Sequence, residues 1–460
     1  MCEAEHFDVI ILGAGAAGIA TGIDLLQSSS STPTFIILES RDRIGGRCYT
    51  DQKTLNVPVD LGATWIHHYS PSNPLYKYHH KLHTVQKKRQ EVKPLRRHSV
   101  SLAFDYDGKP LSESVYRQAH RIAGSLFEIL DKYALEQRRK EVPEDKSIED
   151  VIQEAYQSFS LGGQLKRAVD IILSGLEQYE GSNFSRLSAI NYDLGDGMGV
   201  VCDMELENGF GTFLTQIATV LHQLPIRLNQ TVTCIDTTDS HKIQIQISED
   251  KIYTCKYVLV TIPLGCLKRQ TIKFVPELPE WKTLAISQMG FGLMNKIVLQ
   301  FPKNFWGENV TVISHASNVH RGQFRFIITE SQANILIIFV TGDFAYKMET
   351  LTDEETLITV MQFIRTIFSE HRQRKHLVPD PTHYLISRWC KDPYAYGSYS
   401  NFAVNANVKT VEDLARECYS DRVYWAGEHT NFTGSIGCVD SAFESGQREA
   451  RKLIEKLQSS

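Results

Sequence analysis

Residues 7–26, FDVIILGAGAAGIATGIDLL, constrain the fold of this chain more than any other stretch. A short apolar strand runs into a glycine turn and then into a helix of apolar spacing. A second apolar strand, TFIILE, follows after the polar connection SSSSTP. Strand, glycine turn, helix and strand together predict a βαβ unit of a parallel, nucleotide-binding sheet.

Within the turn, Gly13, Gly15 and Gly18 form GxGxxG. The first glycine permits the tight turn, the second lets a pyrophosphate approach the backbone, and the third lets helix and strand pack closely. Ala16 and Ala17 open the helix, whose N-terminus attracts an anion. Glu39 closes the second strand 21 residues beyond Gly18, where a carboxylate accepts hydrogen bonds from ribose hydroxyls. A carboxylate there disfavours a 2′-phosphate, so NADP is not expected.

At 460 residues the chain is long for one hydrophobic core, and length predicts about two to four domains. With 42% hydrophobic and 22% charged residues the composition is that of a water-soluble globular protein. A net charge of -5 advertises neither nucleic acid nor an anionic membrane. The basic run KKRQEVKPLRR at residues 87–97 reads as a solvated loop. Nine cysteines without a CxxC pair or metal-ligand cluster predict reduced thiols, no metal site and a cytoplasmic location. The N-terminus MCEAEHFDVI lacks the pattern of a signal peptide, and no apolar run is long enough to span a membrane.

Residues 81–194 are charged and helical in pattern, as in SESVYRQAHRIAGSLFEILDKYALEQRRK. Strand patterns return over residues 195–270, and residues 271–375 mix strands (NKIVLQF, RFIIT, ILIIFV) with a helix. The end of the chain reads as strand, glycine loop and helix. This alternation predicts two interleaved domains: residues 1–80, 195–270 and 376–460 bind the nucleotide, and residues 81–194 and 271–375 bind substrate.

The text after Glu39, ESRDRIGGR, sets Arg41, Arg43 and Arg47 around Gly45 and Gly46, which can bring guanidinium groups and backbone amides against a second phosphate face. Here the sequence resembles the flavin amine oxidase family, whose members carry E-x-R-x-R-x-G-G-R at this place. The match continues in LGATWIHHYSPSNPLY, NQTVTCI, FGLMNKIVLQF, RWCKDPYAYGSYS and YWAGEHTNFTGSIGCVDSAFESGQREA, in family order. Within the family the chain looks most like polyamine and spermine oxidases. The implied fold class is α/β, a Rossmann-type FAD-binding domain interleaved with an α+β substrate domain carrying a mixed or antiparallel sheet.

The resemblance implies FAD as cofactor. Glu39 would bind the adenosine ribose, Arg47 the pyrophosphate region, Val232 the adenine through its backbone, and Glu428, after Gly427, the ribityl or phosphate end. Gly62, Ala63, Thr64 and Trp65 belong to the flavin-facing segment, and Val439 would offer its amide to the flavin ring. Members with covalent flavin carry a cysteine before the tyrosine matching Tyr399; here the residue is Ser398, so non-covalent FAD is expected.

Lys296 stands in the apolar run FGLMNKIVLQF, where an unpaired ammonium is expensive to bury. The strand alone favours a lysine that snorkels to the surface. The resemblance makes it the family lysine that reaches flavin N5 through a water. Trp65, Trp389, Tyr394 and Tyr399 match aromatics along the flavin and the amine path. In several relatives two aromatics face each other across the substrate nitrogen; Tyr399 fills one position, but Cys438 stands at the other, leaving room for a wider or internal amine. His67, of the W-I-H motif, is expected to bind or deprotonate a distal amine, and Asp193 and Asp196 in INYDLGDG to neutralise a polycation.

The expected reaction is FAD-dependent oxidation of spermine, spermidine or their acetylated forms with dioxygen, giving hydrogen peroxide. The alternatives are a flavin oxidase of a monoamine or amino acid, and a histone lysine demethylase-like enzyme. The second alternative is disfavoured by a sequence that starts at the βαβ unit and carries no coiled-coil insertion. The oligomeric state is left open.

Overall fold

The computed structural model describes residues 4–28, 33–86, 100–194, 203–248, 251–371, 378–431 and 436–459. The basic run at 87–97 and Asp196 lie outside the described residues.

The opening unit is built as its sequence predicts. Strand His6–Leu12 is flanked in parallel by Phe35–Leu38 on one side and Ile252–Val260 on the other. Ile226–Arg227 extends this parallel set beyond Phe35–Leu38, and Val423–Trp425 pairs in parallel with Ile252–Val260. Ile243–Ile247 and Val232–Asp236 add antiparallel strands, and Lys273–Val275 closes that edge, for eight strands among the described residues. The central strands read as continuous apolar runs because both faces are covered, one by the helices Ala16–Leu26 and Val439–Ser459. These two helices touch closely: a Cβ placed on Gly446 would stand 2.1 Å from the carbonyl oxygen of Ala17. Thr21 Oγ1 donates to the Gly446 carbonyl at 2.9 Å across the same contact.

A second sheet of six strands runs in the order His383–Ile386, Met294–Gln300, Ile335–Thr341, Phe326–Glu330, Val310–Ala316, Val100–Asp105. It is antiparallel except for its last pair. Three helices, Glu113–Arg138, Ile148–Ser158 and Gly163–Glu180, share a separate apolar core beside it. Two pieces cross the segment boundaries expected from the sequence. Lys273–Val275 and the helix Glu280–Gln288 pack with the first sheet, and His383–Ile386 completes the second. Edge strands of three or four residues carry no alternation that would assign them to one sheet or the other. Among the described residues no helix is long and apolar enough to cross a membrane.

Candidate active site

One cavity of about 660 Å³ runs from the glycine turn to an aromatic compartment against the second sheet. At the nucleotide end the three glycines divide their work. A Cβ on Gly18 would meet the Gly13 carbonyl oxygen at 2.0 Å, so that glycine serves packing. A Cβ on Gly15 would meet nothing within 4 Å, because the turn opens there onto the cavity. Gly15 also caps the first helix without a side-chain hydrogen bond, leaving amides to receive an anion. The Glu39 carboxylate, 6% exposed, is aimed by the amides of Ala14 (2.8 Å) and Arg41 (2.9 Å).

The arginines of ESRDRIGGR are more committed than their sequence suggests. Arg41 forms a bidentate pair with Asp392 at 2.7 and 2.9 Å and lies over the Tyr394 ring, while Arg43 lies over Tyr49. Arg47 donates from one nitrogen to the Ser398 carbonyl (2.7 Å) and to Glu428 (2.9 Å). Burial, the largest single influence, works against the Glu428 carboxylate, but the charge and hydrogen bond of Arg47, with His429 and the Ser400 amide, together hold the carboxyl below its ordinary range. Val232, Gly427 and Val439 also line the cavity, with Ala16, Ala17 and Gly46.

The amine end is built on a cross-strand row. Lys296 faces Phe339 on the next strand, and Phe339 faces Phe326 on the one after, so the three side chains share one face of the sheet. All three line the cavity, and Trp65 stacks on Phe339 at 6.1 Å between ring centroids. The lysine does not snorkel. At 4% exposure its ammonium donates to the carbonyls of Asp60 (2.9 Å) and Gly62 (2.7 Å) and contacts the Thr64 hydroxyl. Burial pushes its pKa down to about 8, with Asp60 and Glu205 opposing the shift. Lys296 is thus fastened to the segment carrying Gly62, Ala63, Thr64 and Trp65, all of which line the cavity.

Tyr399 and Cys438 both line this compartment, and the Tyr399 hydroxyl donates to the Gln178 carbonyl at 3.0 Å. His67 lines the cavity too and pairs with Asp203, its Nδ1 3.1 Å from the carboxylate, with both side chains partly exposed. Trp389 is buried, its indole N–H donating to the Leu61 carbonyl at 3.0 Å.

One expectation needs correction. Asp193 does not line the cavity; the adjacent Arg138 takes its carboxylate, with one contact at 3.1 Å. Tyr394, expected among the cofactor-binding residues, lines the nucleotide end of the cavity, where its ring lies against Arg41 and its hydroxyl reaches Thr231 at 3.4 Å. The sequence reading also missed Phe326, Phe339 and Glu180. The two phenylalanines lie in RFIIT and ILIIFV, recognised only as strands, and the direction of a strand residue depends on which face the sheet turns to the cavity. Glu180 ends a helix just before Gly181, a pattern that signals a helix terminus and nothing more.

The profile of the family described as "Flavin containing amine oxidoreductase" matches residues 16–454. The chain belongs to this family. It is an FAD-dependent amine oxidoreductase, and its FAD is held without a covalent bond. It is 30% identical to Polyamine oxidase 4 of Oryza sativa subsp. japonica, over 98% of this chain and 89% of the relative. It is 28% identical to Probable polyamine oxidase 4 of Arabidopsis thaliana, over 98% and 88%. Lysine-specific histone demethylase 1 homolog 1 of Arabidopsis thaliana is 30% identical over 98% of this chain, which spans only 52% of that relative. A solved putrescine oxidase, a double mutant redesigned for cofactor binding, superimposes with a TM-score of 0.74 at 18% identity, over 98% of this chain and all of the other. That likeness supports the fold.

The donor set fits FAD. The open space at Gly15, the oriented Glu39 carboxylate, and the Arg47–Glu428 pair lie along one cavity that continues to Lys296.

Proposed function

We propose that the chain oxidises polyamines, with dioxygen as acceptor and hydrogen peroxide as product. The observation that carries this reading is the compartment around Lys296: aromatic on several sides and continuous with the nucleotide end. The two arginines that line the cavity, Arg41 and Arg47, stand at its nucleotide end and are already paired with Asp392 and Glu428, so among the described lining residues no free guanidinium awaits an amino-acid carboxylate. The relatives named as polyamine oxidases, matched over most of their length, support the same class.

FAD, when bound, supplies the electron sink, accepting a hydride equivalent from the carbon next to nitrogen and passing electrons to dioxygen. The protein's own part is to orient the amine and manage protons. Trp65, Phe326, Phe339 and Tyr399 exclude water and attract a cation through their ring faces. Lys296 can hold or release one proton at Nζ without moving, since the Thr64 hydroxyl can either accept from an ammonium or donate to an amine. His67 and Asp203 stand partly exposed, where a remote nitrogen of a long substrate would pass.

A second reading, oxidation of methylated lysine in a peptide, rests on the 30% identity to the demethylase homologue. One experiment decides between them: peroxide production by the holoenzyme across spermine, spermidine, acetylated polyamines, tyramine, amino acids and a methyl-lysine peptide. Fast turnover of a polyamine is expected. Turnover confined to a monoamine, an amino acid or the peptide overturns the polyamine reading.

A further inference from the structure

Among the described residues no carboxylate pairs directly with the Lys296 ammonium, whose partners are two carbonyls and a hydroxyl. One of those carbonyls belongs to Asp60, and the Asp60 side chain is bound elsewhere. At 7% exposure its carboxylate accepts from the Thr50 hydroxyl at 2.5 Å and from the Phe210 amide at 2.9 and 3.1 Å. The Gly211 amide donates in turn to Thr50 Oγ1 at 2.9 Å. Gly209 lets the backbone come this close: its φ is +77°, and a Cβ there would stand 2.8 Å from Asp60 Oδ1. Residues 209–211 thus wrap a buried carboxylate whose hydrogen-bond partners are neutral.

A buried anion held by neutral donors is costly, and so is a buried ammonium without a counter-ion. Here the two charges offset each other across one residue. The Asp60 carbonyl grips Lys296, and the Asp60 carboxylate is the charge that acts on it most strongly. A direct ion pair would pin the lysine as an ammonium. A counter-charge one step removed leaves an amine that can still release its proton near neutrality, where a proton-handling group is most effective.

We propose that Asp60 is a positioning residue for Lys296: its buried carboxylate fixes the carbonyl that grips the amine and supplies the counter-charge that holds the proton on Nζ. The inference rests on the part in proton handling given to Lys296 above. Burial pushes the Asp60 carboxyl up to about 6 and Lys296 down to about 8, so between those values both groups are charged. Without the carboxylate's charge, the burial penalty on Lys296 is less opposed and its proton affinity falls. The other groups acting on Lys296 are Glu205, on the exposed strand beside Trp65, and Cys48, whose thiol burial pushes up to about 12; Arg43 and Arg47 act on Cys48. All of these remain when Asp60 alone is changed.

The test follows the pH profiles of flavin reduction and reoxidation in wild-type, Asp60→Asn and Lys296→Met holoenzymes, with the fastest amine of the panel above. Asparagine keeps the shape and an acceptor for Thr50 and Phe210 but carries no charge. The wild-type ionisation near 8 should be absent from Lys296→Met and should move down by about 1 pH unit or more in Asp60→Asn, with an unchanged flavin absorption spectrum. A merely structural aspartate would lower the rate at every pH and leave the ionisation near 8, and that result overturns the proposal alone. An ionisation that survives Lys296→Met removes Lys296 from proton handling and overturns the proposal with it. If Asp60→Asn does not load flavin, the coupling is read from the other partner by carboxyl-carbon NMR of holoenzyme labelled at aspartate. The Asp60 ionisation near 6 should then move up by a similar amount in Lys296→Met, because coupling between two sites is reciprocal. An Asp60 ionisation that stays in place overturns the proposal.

Discussion

Lys296 and Phe339 are directly opposed partners on neighbouring antiparallel strands, and the Lys296 ammonium lies 5.4 Å from the centre of the Phe339 ring. A charge in an otherwise apolar strand is therefore placed by sheet register. It is then held by the Asp60 and Gly62 carbonyls of a segment more than 230 residues away in sequence.

Replacing this amine tests its part in turnover. Lys296→Met should lower kcat by about 100-fold or more, a typical loss for a positioned proton-handling group, while FAD stays bound. Rapid-mixing measurements of flavin reduction and reoxidation check which half-reaction slows. Unchanged rates in both would remove Lys296 from the chemistry.

Its proton affinity gives a second test. Burial holds Lys296 at about 8, below the ordinary lysine value near 10.4, so the folded protein binds this proton more weakly than the unfolded chain does. Below pH 8 both states are protonated and the burial penalty is fully felt; as pH rises toward about 10.4 the penalty is relieved. Urea titrations should show wild type gaining about 2–3 kcal/mol on Lys296→Met across that window. The pH profile of turnover should carry an ionisation near 8 that the variant lacks.

The glycines of the nucleotide turn should separate folding from cofactor binding. Gly15→Val projects into open space, so the apoprotein should fold with little loss while FAD affinity falls at least about tenfold. Gly18→Ala drives a methyl group against the Gly13 carbonyl and should destabilise the apoprotein itself by about 1–3 kcal/mol. Thermal unfolding of apoprotein and fluorescence titration with FAD measure the two effects.

Arg47→Ala removes the cation beside a buried carboxylate. Leaving Glu428 uncompensated should cost about 3–5 kcal/mol of holoenzyme stability. The pair also makes the wild type acid-sensitive. The Glu428 carboxyl is held below its ordinary value, so its contribution is present above the ordinary carboxylate pKa and is lost as pH falls through the lower, folded value. Flavin retention on gel filtration, followed against pH for both proteins, checks this.

Acid precipitation followed by centrifugation should leave intact FAD in the supernatant. Flavin retained in the pellet would contradict non-covalent attachment.

Much of this organisation is legible in one dimension. The glycine turn, its flanking strands and Glu39 form a local unit whose backbone requirements are met by neighbouring residues, so spacing alone places them. Lys296 stands out because a charge in an apolar run must find partners. Glu180 gives no such sign: a glutamate at a helix end is ordinary until the helix is seen to close a cavity. Asp193 misleads for the converse reason, since an acidic stretch looks free in sequence and Arg138, 55 residues earlier, neutralises it.

The sequence by itself determined the nucleotide-binding unit, the flavin family and the lysine at issue, because these rest on short-range geometry and on motifs kept in order along the chain. The tertiary structure alone decided which aromatics wall the amine, that Arg41 is bound to Asp392, and that, among the described residues, no hydrogen bond or ion pair reaches the buried Glu180 carboxyl. Those facts depend on strand register and on contacts between segments far apart in the chain, and burial sets the charge state of each group only once the segments have come together.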